Sequence, residues 1–246
     1  MLPNTDQLAP DLVEQILMKL GLSEPPSIDF LGLSQIYQAW CCKIPFDNIR
    51  KRIHLAEKNP LPLPGHDDTE FFDGWLRFGF GGTCWAGNAA LYALLDTLGF
   101  SCERVTATML PDSNQPPNHG TVTVHCGEKQ FLVDASMLHS TPLSLTPNQH
   151  SAIVHPAWGL TCSPLDQRWS IRWRPLHLPN GCTCRIEAFS VTRDSFRQLN
   201  EASRERSPFN DALYIRLNAE ESVIGISGGL SVDFPPSGKV VKKLLT

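Results

Sequence analysis

Cys84 follows Gly81, Gly82 and Thr83 directly and opens a run of helical pattern, CWAGNAALYALLDTLG. If the helix begins there, the sulfur lies among backbone N–H groups that have no acceptor within the helix, at the positive end of its dipole. Both features favour a thiolate. The paired glycines allow a sharp turn and a close approach by a substrate. The same residues also suit a buried thiol behind a tight turn, and this stretch alone does not separate the two. A nucleophilic thiolate needs a base, and the base needs an orienting group. The stretch NHGTVTVHCGEKQFLVDAS (118–136) offers both, as two β-patterned runs around a tight turn near Cys126 and Gly127. If those two residues form the loop, His119 falls opposite Asp134, with Cβ atoms ~4.5–5.5 Å apart. A shift of the turn by one residue leaves the two as diagonal neighbours on the same face. Asp134 follows the apolar run Phe131, Leu132, Val133, and a buried acid is rarely left unpaired. His125 is the competing base, but it sits beside the turn and away from Asp134. His54, His66, His139, His150, His155 and His177 lie in loop-like or uninformative contexts.

The elements that must hold these residues change in type along the chain. DLVEQILMKLGL (11–22) places Leu12, Ile16, Leu17 and Leu20 on one helical face, with Gly21 as the stop. FLGLSQIYQAWCCKIPF (30–46) is a second helical pattern, ended by Pro45. EKNPLPLPGHDD (57–68) reads as a loop, and DDTEFFDGWLRF (67–78) as a short helix capped by Asp67 or Asp68. The helix after Cys84 carries Ala89, Leu91, Leu94, Leu95 and Leu98 and stops at Gly99. Beyond residue 100, CERVTATML, TVTVHC, KQFLVDAS and RWSIRWRPL are short and rich in β-branched or aromatic residues. The last part holds one helical stretch, RDSFRQLNEASRE, and two strand-like ones, ALYIRLN and ESVIGISGG. Helices, then strands, then a small mixed piece make an α+β architecture, with expected divisions at 1–100, 101–192 and 193–246.

Composition narrows the function. The chain of 246 residues is 41% hydrophobic and 19% charged, with a net charge of −4. Its one basic cluster is Lys239, Lys242 and Lys243, too small for the positive face that nucleic acid demands. No apolar run reaches the ~18 residues of a membrane span. The first residues, MLPNTDQLAPDLVEQ, lack the basic and apolar regions of a signal peptide, so a reducing, cytoplasmic setting is expected. The eight cysteines then read as free thiols, most of them small buried hydrophobes. Cys182-Thr-Cys184 with His177 is the nearest approach to a metal pattern, but it lacks the second pair a zinc site uses, and no metal is expected.

Four blocks, in order, carry a resemblance. Gly81-Gly82-Thr83-Cys84 with Asn88 resembles the Arg-Gly-Gly-x-Cys-x-Glu-x-Asn motif of the arylamine N-acetyltransferase family. HGTVTV and FLVDAS are similar to that family's histidine and aspartate segments. KIPFDNI (43–49) is similar to its Ile-Pro-Phe-Glu-Asn segment, and RSPFNDALYIRL (206–217) to its Ser-Pro-Phe segment. The resemblance implies a triad of Cys84, His119 and Asp134. The implied fold is a helical bundle, a β-barrel and a small α/β lid around a core like that of the cysteine proteinases. The implied reaction is ping-pong acyl transfer, in which acetyl-coenzyme A or another acyl thioester acylates the cysteine and a small amine takes the acyl group. Phe46, Phe80, Thr83, Trp85 and Ser136 would border the substrates. No permanently bound cofactor is implied. Within the wider family, an amide synthase acting on a biosynthetic acyl thioester, even one held on an acyl carrier protein, is the alternative; a transglutaminase-like thiol hydrolase has a similar triad. Two departures flank the thiol: Phe80 stands at the motif's arginine and Ala86 at its glutamate. After Asp134 the chain reads Ala135, Ser136, Met137, Leu138 in place of a Gly-Phe-Gly-like run. The short C-terminal part would leave the cleft more open. The expected outcome is altered specificity around an intact triad.

Overall fold

The computed structural model describes residues 7–110, 116–166, 168–178 and 180–245. The first six residues, part of the stretch read against a signal peptide, lie outside them. The described helices are α1 (Pro10–Leu20), α2 (Phe30–Lys43), α3 (Ile49–Ala56), α4 (Asp68–Phe78), α5 (Cys84–Thr97) and α6 (Arg193–Ala202). The strands are β1 (Phe46–Asp47), β2 (Ser101–Met109), β3 (His119–Cys126), β4 (Lys129–Val133), β5 (Leu143–Ser144), β6 (Ser151–Ile153), β7 (Leu160–Leu165), β8 (Arg168–Trp173), β9 (Cys182–Ala188), β10 (Tyr214–Ala219), β11 (Ser222–Ser227), β12 (Leu230–Phe234) and β13 (Val241–Leu244).

The helices follow their patterns. α1 buries Leu12, Ile16, Leu17 and Leu20, and Gly21 ends it with φ 86°, a conformation that costs glycine nothing. Asp67 caps α4, accepting from the Thr69 and Glu70 N–H groups at 2.9 and 3.1 Å. α5 is buried on most of its circumference, as an element at the centre of a core must be. α3 has no counterpart in the sequence reading. Its buried residues are Lys51 and His54, so no apolar stripe marks it.

An eight-stranded antiparallel sheet runs in the order β5-β4-β3-β2-β9-β8-β7-β6. Its two edges meet where Ser151 Oγ on β6 donates to the Ser144 carbonyl on β5 at 2.6 Å, so the sheet nearly closes into a barrel. Val122, Val124, Phe131 and Val133 on β3 and β4 join the helical core around α5. Val105, Ala107 and Leu132 join a second core inside the barrel. Cys182 and Cys184 point into this second core, where burial pushes the Cys182 thiol up to about 11. A five-stranded sheet, β1-β10-β11-β12-β13, covers the other side of the helices. It is larger than the two strands expected, because β12, β13 and the distant β1 join it. β1 pairs with β10 (Phe46 opposite Arg216) and also bridges Gly82, so the C-terminal sheet is tied to the chain just before Cys84.

The hairpin that holds the histidine and the acid turns one residue later than expected. Cys126 pairs with Lys129, which leaves Gly127 and Glu128 as the loop, Gly127 with φ 61°. Val122 then opposes Val133, and His119 and Asp134 are diagonal neighbours on one face.

Candidate active site

Three segments converge on Cys84. It is the first residue of α5, 7% exposed, with Thr83 in extended conformation at the N-cap. The turn before it depends on glycine for close approach: a Cβ on Gly81 would lie 1.7 Å from the Pro45 carbonyl oxygen. Asp47 clamps the turn from the other side, accepting from the Gly81 N–H at 2.6 Å and the Ile49 N–H at 3.0 Å.

His119 begins β3 and is 2% exposed; Asp134 follows β4 and is wholly buried. His119 Nε2 bonds Asp134 Oδ2 at 2.7 Å, which leaves Nδ1 for the thiol. The other carboxylate oxygen, Oδ1, accepts from the Ser136 N–H (2.8 Å), the Ser136 hydroxyl (2.7 Å) and the Met137 N–H (2.9 Å). Burial alone would raise the Asp134 pKa, but His119 and these donors keep it well below the ordinary carboxylate range. Burial would likewise lower His119. The Asp134 charge and hydrogen bond, joined by a hydrogen bond with Cys84, outweigh it and hold the imidazole up at about 10. The ring is therefore poised as an imidazolium between the Asp134 carboxylate and the Cys84 sulfur.

Two residues fix this arrangement without being part of it. Asn88, one turn along α5, donates to the Cys84 carbonyl (3.0 Å) and the Gly120 carbonyl (2.6 Å), and it accepts from the Ala135 N–H (2.9 Å). One amide thus locks together the nucleophile's helix, the residue after His119 and the residue after Asp134. The fully buried Tyr37 hydroxyl donates to the Asp134 carbonyl (2.9 Å) and accepts from the N–H groups of Asp134 (3.1 Å) and His139 (3.2 Å). Asn88 is legible in the sequence as part of the motif. Tyr37 is not, because on α2 it reads as one more apolar-face residue, 97 positions away from Asp134.

The expected substrate-bordering residues fall in different places. Thr83 lines a narrow cleft beside Cys84, shared with Asp47, Arg50, Lys51, Leu63, Gly81 and Asn200. Trp85 lines a second narrow cleft, with Arg104, Asp68, Arg193 and Phe196. Phe46 is buried between Phe209 and Tyr214, its ring 5.0 and 5.4 Å from theirs. Phe80 packs against Phe78 at 5.6 Å. Ser136 spends its hydroxyl on Asp134. Ala86 is tightly enclosed: a Cβ on Gly65 would come within 2.3 Å of its own Cβ, and one on Gly82 within 3.0 Å. A glutamate has no room there, so the motif's ion pair is replaced by packing. Phe196 on α6 sits edge-on to Trp85 at 4.9 Å, and both crowd Gly120, where a Cβ would lie 2.3 Å from Phe196 Cζ. His125 is on the surface near the hairpin turn, 3.4 Å from Glu103.

The model of a family described as N-acetyltransferase matches residues 29–171, more than half of the 246-residue chain, from the start of α2 into β8. The chain belongs to this N-acetyltransferase family. Its fold is that of the arylamine N-acetyltransferases. The structure of the Mycobacterium abscessus enzyme superposes with TM-score 0.78 at 16% identity, covering 95% of this chain and 84% of that one. The Salmonella typhimurium enzyme gives 0.78 at 16% identity, covering 97% and 87%. The Mycobacterium marinum enzyme in complex with CoA gives 0.77 at 15% identity, covering 95% and 87%. A comparison with curated protein sequences gives no match. The enzyme is thus an N-acetyltransferase by family, on an α+β fold of helices, barrel and C-terminal sheet. Among the described residues, no helix is long and apolar enough to cross a membrane.

Proposed function

We propose that Cys84, His119 and Asp134 carry out ping-pong acyl transfer from an acyl thioester, acetyl-coenzyme A in the simplest case, to a small amine. The observation that carries this reading is the 2.7 Å bond between His119 and Asp134, in a site where Asn88 ties all three segments together. In the first half-reaction the Cys84 sulfur, its proton held on His119 Nδ1, adds to the thioester carbonyl. The N–H groups of the first turn of α5 have no acceptor within the helix and face the developing oxyanion. The C–S bond of the donor breaks, and its thiolate takes the proton from His119. In the second half-reaction the amine adds to the acyl-enzyme, gives a proton to His119, and the Cys84 thiolate leaves. Asp134 keeps the ring in the tautomer that has Nδ1 facing sulfur and stabilises the charged imidazolium. The CoA bound in the Mycobacterium marinum structure supports a coenzyme A thioester as donor.

Intact-mass measurement after incubation with acetyl-coenzyme A tests the first half. An acetyl adduct is expected on the wild-type protein and none on Cys84→Ala. An adduct that persists in Cys84→Ala places the acyl group elsewhere and removes Cys84 from the mechanism.

A further inference from the structure

The cleft beside Cys84 contains a buried cation that the acyl-transfer steps do not use. Lys51 is 5% exposed, and its Nζ donates to the Ser203 carbonyl and the Ser203 hydroxyl, both at 2.9 Å. Both partners are neutral, and among the described residues no carboxylate lies within ion-pair distance of it. The other charges around the cleft are already engaged. Arg50 pairs with Glu70, and the Asp47 carboxylate is spent on the Gly81 and Ile49 N–H groups. Glu201 is occupied by Arg204 and the Leu63 N–H. A buried ammonium with no carboxylate within ion-pair distance is costly to maintain, and such groups mark places where a ligand can supply the missing charge. Its placement fits that role. Lys51 forms one wall of the cleft, residues 81–83 form another, and Cys84 follows at once. As a thiolate, Cys84 acts on the ammonium through its charge, as does Glu201.

We propose that this cleft is a carboxylate subsite: Lys51 binds an anionic group carried by the substrate while its reacting carbon is at Cys84. This rests on the reading of Cys84 as the nucleophile. The carboxylate belongs either to the acyl group, as in a dicarboxylic half-thioester, or to the amine. The selected chemistry is the same, a carboxylate held a few atoms from the reacting centre. The competing role for Lys51 is structural, a tie between α3 and the end of α6.

A pair of isosteric alkylating agents tests the subsite without any need for acyl transfer. Iodoacetate and iodoacetamide form the same C–S bond, release iodide, and differ in charge. Peptide mapping gives the rate at Cys84 with each, and glutathione supplies the free-thiol ratio. We expect the iodoacetate-to-iodoacetamide ratio at Cys84 to exceed that of glutathione by roughly tenfold, the scale of one desolvated charge contact. Lys51→Met should return it to the glutathione value and Lys51→Arg should keep it. A wild-type ratio equal to that of glutathione, or a ratio that Lys51→Met leaves unchanged, overturns the subsite. A Lys51→Met protein that melts early and slows equally with both reagents assigns Lys51 the structural role and overturns it too. The wild type alone provides a second test. Burial, opposed by Cys84 and Glu201 and aided by Arg204, brings the ammonium's pKa down to about 8. The ratio should therefore fall between pH 7 and pH 9.5, and a constant ratio refutes the proposal. Two arms locate the carboxylate: acylation by succinyl against acetyl thioester, and turnover of an aminobenzoate against its methyl ester. Preference for the anion in one arm names its carrier, and preference in neither overturns the proposal. Failure of both thioesters to acylate Cys84 counts instead against acyl transfer, since the alkylation ratio stands apart from it.

Discussion

Replacing Asp134 with asparagine probes the site most directly, because it keeps the shape and removes one charge. In the wild type, Oδ1 accepts three hydrogen bonds from the 136–137 turn and Oδ2 accepts the His119 Nε2–H at 2.7 Å. An asparagine can keep the three Oδ1 bonds, so the turn should hold. Its NH2 group then faces Nε2, which must become an acceptor, and the ring proton moves to Nδ1. That nitrogen can no longer take the thiol proton. The imidazolium also loses the carboxylate that holds its pKa at about 10 against the burial that would lower it. With the acceptor and the countercharge lost together, alkylation of Cys84 by iodoacetamide at pH 7 should slow by on the order of 10²–10⁴-fold, as for other triads deprived of their acid. The assay is the second-order rate from intact mass, with circular dichroism to confirm the fold. The wild-type rate should vary little across neutral pH, and that of Asp134→Asn should rise steeply with pH. A folded Asp134→Asn that reacts within twofold of wild type, with the same pH profile, would show that Asp134 does not set the state of His119.

Three other perturbations address the supporting structure. Gly120→Ala places a Cβ 2.3 Å from Phe196 Cζ and 2.6 Å from Trp85 Cε3, so it should cost about 1–3 kcal/mol in chemical denaturation, and Phe196→Ala in the same chain should recover part of that; additive effects would deny the contact. Tyr37→Phe removes the common partner of the Asp134 and His139 N–H groups and should cost at least ~2 kcal/mol while slowing Cys84 alkylation; an unchanged melting curve and rate would show that the hub is dispensable. Buried His139, whose Nδ1 bonds the Thr141 carbonyl at 2.7 Å, is pushed by burial down to about 4. The unfolded chain takes up this proton near pH 6.5 and the folded chain only near 4, so the stability this group contributes is whole above 6.5 and is lost as pH falls through that window. The loss should be about 3 kcal/mol. His139→Phe should flatten the stability curve between pH 6.5 and 4, and an equally steep curve would assign the acid sensitivity elsewhere.

The sequence by itself was enough for the elements whose signals are local. Gly21 and Gly99 end helices because only glycine enters the left-handed region freely, and Asp67 starts one because its carboxylate reaches the next free N–H groups. Alternation in β3 and β4 put His119 and Asp134 on one face whichever residue turned the hairpin, since a loop moved by one residue shifts opposed positions by two and so preserves the face. The four ordered blocks likewise pointed to the family that the match over residues 29–171 establishes. What the tertiary structure alone decided has long-range partners and no period. Tyr37 reaches across 97 positions to the acid loop, Lys51 is buried on a helix with no apolar stripe, and β1 leaves the helical part to join the C-terminal sheet. The packing of Phe196 against Trp85 and Gly120 is of the same kind. Sequence spacing constrains residues within one helix or hairpin, whereas these contacts join elements whose separation along the chain carries no geometric information.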